Sequence, residues 1–476
     1  MSTNTPSHRR VVDYSSEEAD VTEDYSFDEA FNTLSSLIET SLANSFGFAC
    51  AQDLESDAKT KHLGARLRTV LAVSREEEEQ RSACEECIKD LWRILKEESC
   101  GWDKPFYREC FVLCSLRLSL LKIKEEKQGN NERCLQEAME RLDTALIMGC
   151  PGEVARPFVR CVEKLMCRKE KTSSAASNIK KQKVSRASKS SLVVETTLSS
   201  SPLVPKIINP LEKMKDDATW QEFKEMYFNK DMPVQLPSDE SMPCIKKWQD
   251  VAYFKERFGK RLIPLEVGKY DDVENWKEEI VPMETFIDEH LAPDILKKED
   301  NNFVSYLAQH QLFEQIPQLA LDFEIPKWCN AGHFERCNIW LGTSGTITPC
   351  HFDSYDNIFG QIVGYKFVRM YLESDSKYLY KSGGNWETTR SWTDALNDDE
   401  DGNAKKDTKK KFRNAQGNIS HVDVESPDLE KYPDFAKATP MDVILGPGDF
   451  IYIPSRTWHY VRSLTVSCSL NFLFSF

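Results

Sequence analysis

Eight histidines occur in the chain, at positions 8, 62, 290, 310, 333, 351, 421 and 459, and one of them, His351, is followed two residues later by Asp353. On a strand, residues i and i+2 point to the same face, so this imidazole and this carboxylate can reach one point. His459 lies much further on, in IYIPSRTWHYV, just past a Gly446-Pro447-Gly448-Asp449 turn. Two histidines and one carboxylate on one face of an octahedron leave three positions open, the donor set of non-heme iron(II) oxygenases. Two of the open positions suit a bidentate 2-oxo acid, and the third suits dioxygen. A bare His-x-Asp is a common chance pair, most often in a surface loop, and a lone histidine is more often structural. Here Asn357 and Lys366 follow at distances that allow a hairpin return through Gly364. A lysine facing inward there would pair with the distal carboxylate of 2-oxoglutarate; one facing outward would be solvated.

Other reactive side chains carry weaker signals. Cys84-x-x-Cys87 in SACEECIKD has zinc or redox spacing, but no second pair at zinc-finger spacing follows and the segment reads as helix. Cys350 adjoins His351 and alternation turns it away from the metal, towards a core. His310 reads as a helix-surface or packing histidine. His421, in the acidic HVDVE stretch, is a minor alternative to His459 as third ligand.

These residues need a scaffold of strands. From residue 203 onward short β-type runs alternate with turns: 261–267, 337–341, 358–363, 367–372, 441–445, 450–453 and 464–474. That pattern predicts a β-sandwich or barrel with helical additions. One stretch breaks it. Residues 381–418 place the acids Asp398–Asp401 before Lys405–Lys411, as a disordered loop insertion would. Upstream, 27–168 read as helical, most clearly where Leu135, Ala138, Met139, Leu142, Ala145 and Leu146 share one 3.6-period face before Gly149 and Pro151 end it. Between the two, 169–202 is a basic Ser/Lys-rich linker, and its Lys180, Lys181, Lys183 and Arg186 form a candidate nuclear import signal as well as an ordinary solvated cluster. Residues 1–26 read as a disordered acidic tail.

Length and composition bound the rest. The 476 residues predict two or three domains, and 40% apolar content is enough for a sizeable core. A net charge of -15 argues against a general nucleic-acid coat protein. The 15 cysteines form no compact disulfide framework, the N-terminus lacks an apolar signal core, and no apolar run reaches membrane-spanning length. The expected location is the nucleus, the cytoplasm or both.

Taken together, TPCHFD, NIFGQIVGYKFVRMY and LGPGDFIYIPSRTWHYV resemble a JmjC domain. YLAQHQLFEQIP (306–317), GTITPCHFD and HVDVESPDLEKYPDFAKA (421–438) are similar to the JmjC branch named both for histone lysine demethylation and for protein arginyl hydroxylation. The resemblance covers residues 203–476; over 27–168 it is architectural only. It implies an α+β chain: an all-α domain, then a double-stranded β-helix of the cupin-like jelly-roll kind. It implies iron(II) on His351, Asp353 and His459, and dioxygen and 2-oxoglutarate as co-substrates, the latter contacted by Tyr306, Thr348, Asn357 and Lys366. It further suggests Glu266, Tyr270, Trp276 and Trp340 beside the substrate side chain. Two departures stand out: the long 381–418 segment, and Thr348 where the branch often carries Ser, either hydroxyl being able to donate the same bond.

The reading that follows is a 2-oxoglutarate-dependent protein hydroxylase acting on arginine, with 2-oxoglutarate leaving as succinate and carbon dioxide. A guanidinium stacks on Trp340 or Trp276 and offers Glu266 a bidentate fork. The alternatives are a histone lysine demethylase and a non-catalytic scaffold with a vestigial JmjC core. The expected partner is a protein or peptide substrate, with histones, ribosomal proteins and chromatin-associated proteins as candidate classes. No membrane and no direct nucleic-acid contact are expected, and the helical domain is a candidate partner platform.

Overall fold

A computed structural model describes residues 61–71, 76–97, 105–129, 132–150, 155–156, 158–166, 191–194, 198, 204–239, 242–269, 275–296, 304–381 and 418–475. The expected acidic tail, most of the basic linker with its import-type cluster, and 382–417 of the expected insertion lie outside the described residues.

The N-terminal part contains helices α1 (Lys61–Leu71), α2 (Glu77–Glu97), α3 (Pro105–Gly129) and α4 (Glu132–Ile147). Helix α2 buries Cys84, Cys87, Ile88, Leu91 and Leu95, one stripe at helical spacing. Helix α3 is apolar on more than one side because it lies between two cores: Leu118 packs with the α1–α2 cluster, Leu116 and Leu120 with the α4 cluster. No described helix is long and apolar enough to cross a membrane.

The C-terminal part is built on strands β1 (Val234–Leu236), β2 (Leu262–Val267), β3 (Lys277–Pro282), β4 (Ser305–Leu307), β5 (His333–Gly342), β6 (Ile347–His351), β7 (Asp356–Val363), β8 (Lys366–Tyr371), β9 (Met441–Leu445), β10 (Phe450–Ile453), β11 (Trp458–Ser463) and β12 (Ser467–Ser475). They form an eight-stranded sheet, β1-β10-β7-β12-β5-β4-β2-β3, and a four-stranded sheet, β6-β11-β8-β9. This is the expected jelly roll. The expected strand at 464–474 begins later, at Ser467, because a turn separates β11 from β12.

Alternation along the strands divides the side chains into layers. Ile339, Leu341, Ile358, Ile362, Leu470 and Phe472 face outward from the large sheet onto Trp248, Phe254 and Phe286. Phe367, Tyr371, Trp458 and Tyr460 form a core on the outer side of the small sheet. Phe359, Val368, Met370, Ile451 and Val461 pack between the sheets. Within the span expected as linker, Leu192 and Val194 are buried in the large-sheet core, and Val193 bridges to Asp250.

The two parts meet through a buried ion pair. Arg261, just ahead of β2, sends its Nη2 to Asp143 Oδ1 at 2.7 Å and its Nη1 to Glu163 at 3.1 Å. The Leu262 amide donates to the other Asp143 oxygen at 2.9 Å. Arg156 reaches Glu314, and Gln136 reaches the Lys260 carbonyl.

Candidate active site

His459 and His351 are direct partners across β11 and β6. Two residues further along β11, Val461 pairs with Thr348 and not with Pro349, so β6 carries one extra residue. That is a β-bulge, which re-aims side chains. Residues opposite one another share a face, and His459 and Val461 share a face. Thr348 and His351 therefore both point inward, although three residues separate them. Cys350 points the other way and is buried in the outer core.

His351, Asp353 and His459 offer ligand atoms that all lie within 4.8 Å of one another. Asp353 Oδ1 is 3.9 Å from His351 Nε2, and Asp353 Oδ2 is 3.8 Å from His459 Nε2. His351 Nδ1 lies 2.8 Å from the Pro349 carbonyl, and His459 Nδ1 lies 3.0 Å from the Thr457 carbonyl. A carbonyl only accepts, so each Nδ1 carries the hydrogen and each Nε2 presents a lone pair to the centre of the triad. Burial, then the neighbouring His351, push the His459 imidazole down to about 4, which keeps it in the neutral form that coordinates a metal. The Arg456 amide donates to the Asp353 carbonyl at 2.8 Å, tying this carboxylate's loop to the β10–β11 turn. Among the described residues no other His/Cys/Asp/Glu group has this geometry. Cys84 and Cys87 are buried in α2 outside any such group, and His421 is exposed and apart from the triad. His310 packs against Gln315 at 2.6 Å.

Lys366 opens β8 after the turn at Gly364, where φ is +67° and a Cβ would meet the Val466 carbonyl at 2.0 Å. Its register partner on β11 is Ser463, while Met370, four residues on, opposes His459. The lysine thus stands on the interior face about 13 Å along the strand from the histidine pair. It is 1% exposed, and its Nζ meets the Tyr306 hydroxyl at 3.1 Å. No ion pair to a carboxylate is formed by it among the described residues, and burial pushes its ammonium down to about 7.

The large sheet supplies the opposite wall. Tyr306 on β4 pairs with Gly342, whose missing side chain leaves room for the ring: a Cβ there would lie 2.7 Å from it. The Thr348 side chain lies close enough to interact with the Tyr306 hydroxyl. Trp340 tilts against Tyr306 with ring centres 5.7 Å apart. Asn357 is buried on β7. Its Oδ1, and Trp340 Nε1, are buried without a hydrogen-bond partner among the described residues. Glu266 on β2 is the register partner of Tyr306. Trp276 is half-buried just ahead of β3, beside Gly268. Tyr270 lies outside the described residues.

The donor set fits the expected groups. An oxygen- and nitrogen-donor triad with polarised imidazoles suits iron(II). A buried ammonium bonded to a tyrosine hydroxyl, in an interior that also holds the unsatisfied Asn357 Oδ1 and Trp340 Nε1, suits a dicarboxylate, because a buried charge requires a partner.

Comparison with known proteins agrees. Residues 220–475 match the Cupin-like domain family, and the chain belongs to it. It is 30% identical over 446 residues to JmjC domain-containing protein F of Dictyostelium discoideum, covering 82% of this chain and 86% of that one. It is 31% identical to Lysine-specific demethylase 8 of Danio rerio, over 81% of this chain and 83% of that one. It is 33% identical to Lysine-specific demethylase JMJ30 of Arabidopsis thaliana, over 53% and 52% respectively. The protein is a JmjC-type dioxygenase that uses iron(II), 2-oxoglutarate and dioxygen. The triad is complete, and nothing supports a vestigial core.

Proposed function

We propose that this enzyme hydroxylates an arginine side chain, on carbon, in a protein substrate. The observation that carries the reading is the juxtaposition on the large sheet of an acid with aromatic faces: Glu266 opposite Tyr306, and Trp340 against the Tyr306 ring. A planar, always-charged guanidinium can stack on Trp340 while Glu266 accepts its fork. Methyl-lysine asks instead for an aromatic cage without a bidentate acid.

In this reading His351, Asp353 and His459 hold the metal through two Nε2 atoms and one carboxylate oxygen, leaving three positions open. Lys366 and the Tyr306 and Thr348 hydroxyls bind the far carboxylate of 2-oxoglutarate, and Asn357 contacts the same molecule. Bound iron(II), 2-oxoglutarate and dioxygen supply the oxidation, one oxygen atom going to the substrate carbon and the other to succinate as carbon dioxide leaves. Glu266 and Trp340, with Tyr270 and Trp276 as further contacts, fix which carbon is presented. Residence in the nucleus or cytoplasm belongs to the same proposal, as does a histone, ribosomal or chromatin-associated substrate.

The second reading is methyl-lysine demethylation, favoured by the names that relatives such as Lysine-specific demethylase 8 carry. Arginine and methyl-lysine peptides, incubated in parallel and analysed by mass spectrometry, separate the two. One added oxygen localised to arginine supports hydroxylation; formaldehyde release from methyl-lysine with no arginine product refutes it. Glu266→Gln should lose peptide-coupled turnover while uncoupled 2-oxoglutarate decay persists. Equal loss of both would make Glu266 structural.

A further inference from the structure

Beside the mouth of the site runs a cleft of about 290 Å³ that the roles above leave unused. It is lined by four consecutive residues of β5, Phe334, Glu335, Arg336 and Cys337, and faced by Phe313 and Glu314. Successive strand residues point to opposite faces, so a cavity touching all four lies along the strand's edge and not over one face. That edge is open. β4 pairs with β5 only at Gly342 and Leu341, whereas β12 holds the other edge all the way back to His333. Among the described residues no further strand, bridge or loop backbone bonds β5 between His333 and Trp340.

The open edge leads to the metal. Arg336, Leu473 and Asn357 are direct partners across three neighbouring strands. Arg336 therefore stands on the inner face of the sheet, exposed at its end, about 10 Å from Asn357 at ordinary strand spacing. Its guanidinium lies 5.7 Å from the ring centre of Tyr355, which lines the same cleft and follows Asp353 by two residues. The far wall is tied to the helical domain, since Glu314 is held by Arg156 at 2.5 Å.

We propose that this edge is the docking strand for the substrate: an extended segment flanking the target residue adds alongside Phe334–Cys337, bonding the free backbone groups of β5. The proposal rests on the reading that the substrate is a polypeptide. An unpaired row of N–H and C=O groups is a template for an added strand, and such pairing supplies affinity through main chain while side-chain pockets supply selection. Continuity with the site argues for the substrate as occupant. A segment on this edge hands its next residues to the metal end of the barrel, and its alternate side chains meet Arg336 and Tyr355 on one side and Phe313 and Glu314 on the other.

The test uses two libraries of short peptides with random flanks, one centred on arginine and one on methyl-lysine, with the full chain loaded with iron(II) and 2-oxoglutarate. Each library is made with an ordinary backbone and with single N-methyl amides scanned along both flanks. Methylation at alternate positions of one flank should lower turnover about ten-fold, as loss of a main-chain bond at this edge predicts, with the intervening positions tolerated. Hydrogen exchange at Phe334–Cys337 should also slow when peptide is bound. A flat scan in whichever library is turned over, with unchanged exchange, overturns the docking strand and leaves the polypeptide reading standing. Turnover of neither library, with 2-oxoglutarate decay intact, overturns both.

Discussion

Raising the pH should loosen the hold of this site on 2-oxoglutarate, and the cause is Lys366. The ammonium is 1% exposed, bonded to the Tyr306 hydroxyl, and pushed by burial from 10.5 down to about 7. A carboxylate pairs with the charged form, so above pH ~7 binding must first take up a proton. Between pH ~6.5 and pH ~8.5 the charged fraction falls from roughly three-quarters to about 3%, which weakens binding roughly 25-fold, or about 2 kcal/mol. Calorimetric titration of 2-oxoglutarate into the manganese(II)-loaded protein, in buffers of different ionisation heat, would read both the affinity and the proton uptake. An affinity flat across that range, with no proton taken up, would refute the assignment of Lys366 as the anchor.

The same lysine sets a stability prediction of opposite sign. Its folded value lies below its unfolded value, so between about 7 and 10.5 the unfolded chain binds more protons. Stability of the ligand-free enzyme should therefore rise with pH through that window, and the full cost, up to roughly 5 kcal/mol at 1.36 kcal/mol per pH unit, should be present below it. Lys366→Met removes a buried unpaired charge without emptying the space. It should stabilise the ligand-free protein near neutral pH by up to a few kcal/mol while abolishing the stabilisation that 2-oxoglutarate confers.

Three further outcomes are expected. His351→Ala should abolish 2-oxoglutarate turnover and weaken iron(II) binding; turnover near that of the parent would remove the triad assignment. Asp143→Ala leaves the Arg261 guanidinium buried without its main partner and should lower stability by about 3–5 kcal/mol in denaturant melts; a change within error would show that water reaches the pair. Replacing 382–417 by a short Gly/Ser connection should preserve folding and uncoupled turnover, because Lys381 and Ser420 already bridge and long loops add little closure entropy. Extending the deletion through 418–420 should reduce activity, since Ile419 bridges to His351 and the Asn418 carbonyl accepts from the Phe352 amide.

The candidate metal triad was legible from spacing together with its surroundings: His351 and Asp353 are two apart, Asn357 and Lys366 follow at hairpin distance, and His459 follows a turn marked by two glycines. The apolar strands β7, β9 and β10 were legible for the same local reason. Strands β1 and β4 are three residues each, too short to show a period, and β3 reads KEEIVP, half of it polar. Strand β6 contains Pro349, which argues against a strand until its place beside a bulge is seen. The link between the two domains was not legible, because Asp143 and Arg261 are far apart in sequence and each reads locally as a surface charge. Only burial makes them a pair. The open edge of β5 was hidden for a similar reason: nothing in HFERCNIWLG says that β4 stops short of it.

The extra residue in β6 decides how the two halves of the site can work together. On a regular strand Thr348 and His351, three apart, would face opposite sides. Either the metal would lose a ligand or the Thr348 hydroxyl would turn away from Tyr306. The bulge lets one strand serve both ends of the interior: His351 turns towards His459, and Thr348 turns towards Tyr306 and hence Lys366. The metal end is then built on the small sheet and its loops, while the walls around Lys366 come from both sheets. Asn357, Trp340 and Glu266 reach the interior from the large sheet, and β2 is in turn held through Leu262 and Arg261 by Asp143 of the helical domain. A displacement of that domain acts on the register of β2, and so on Glu266, before it acts on the metal. Perturbing the interface should accordingly change peptide-coupled turnover at lower doses of denaturant than it changes uncoupled 2-oxoglutarate decay. The reverse order would mean that the helical domain supports the metal end directly.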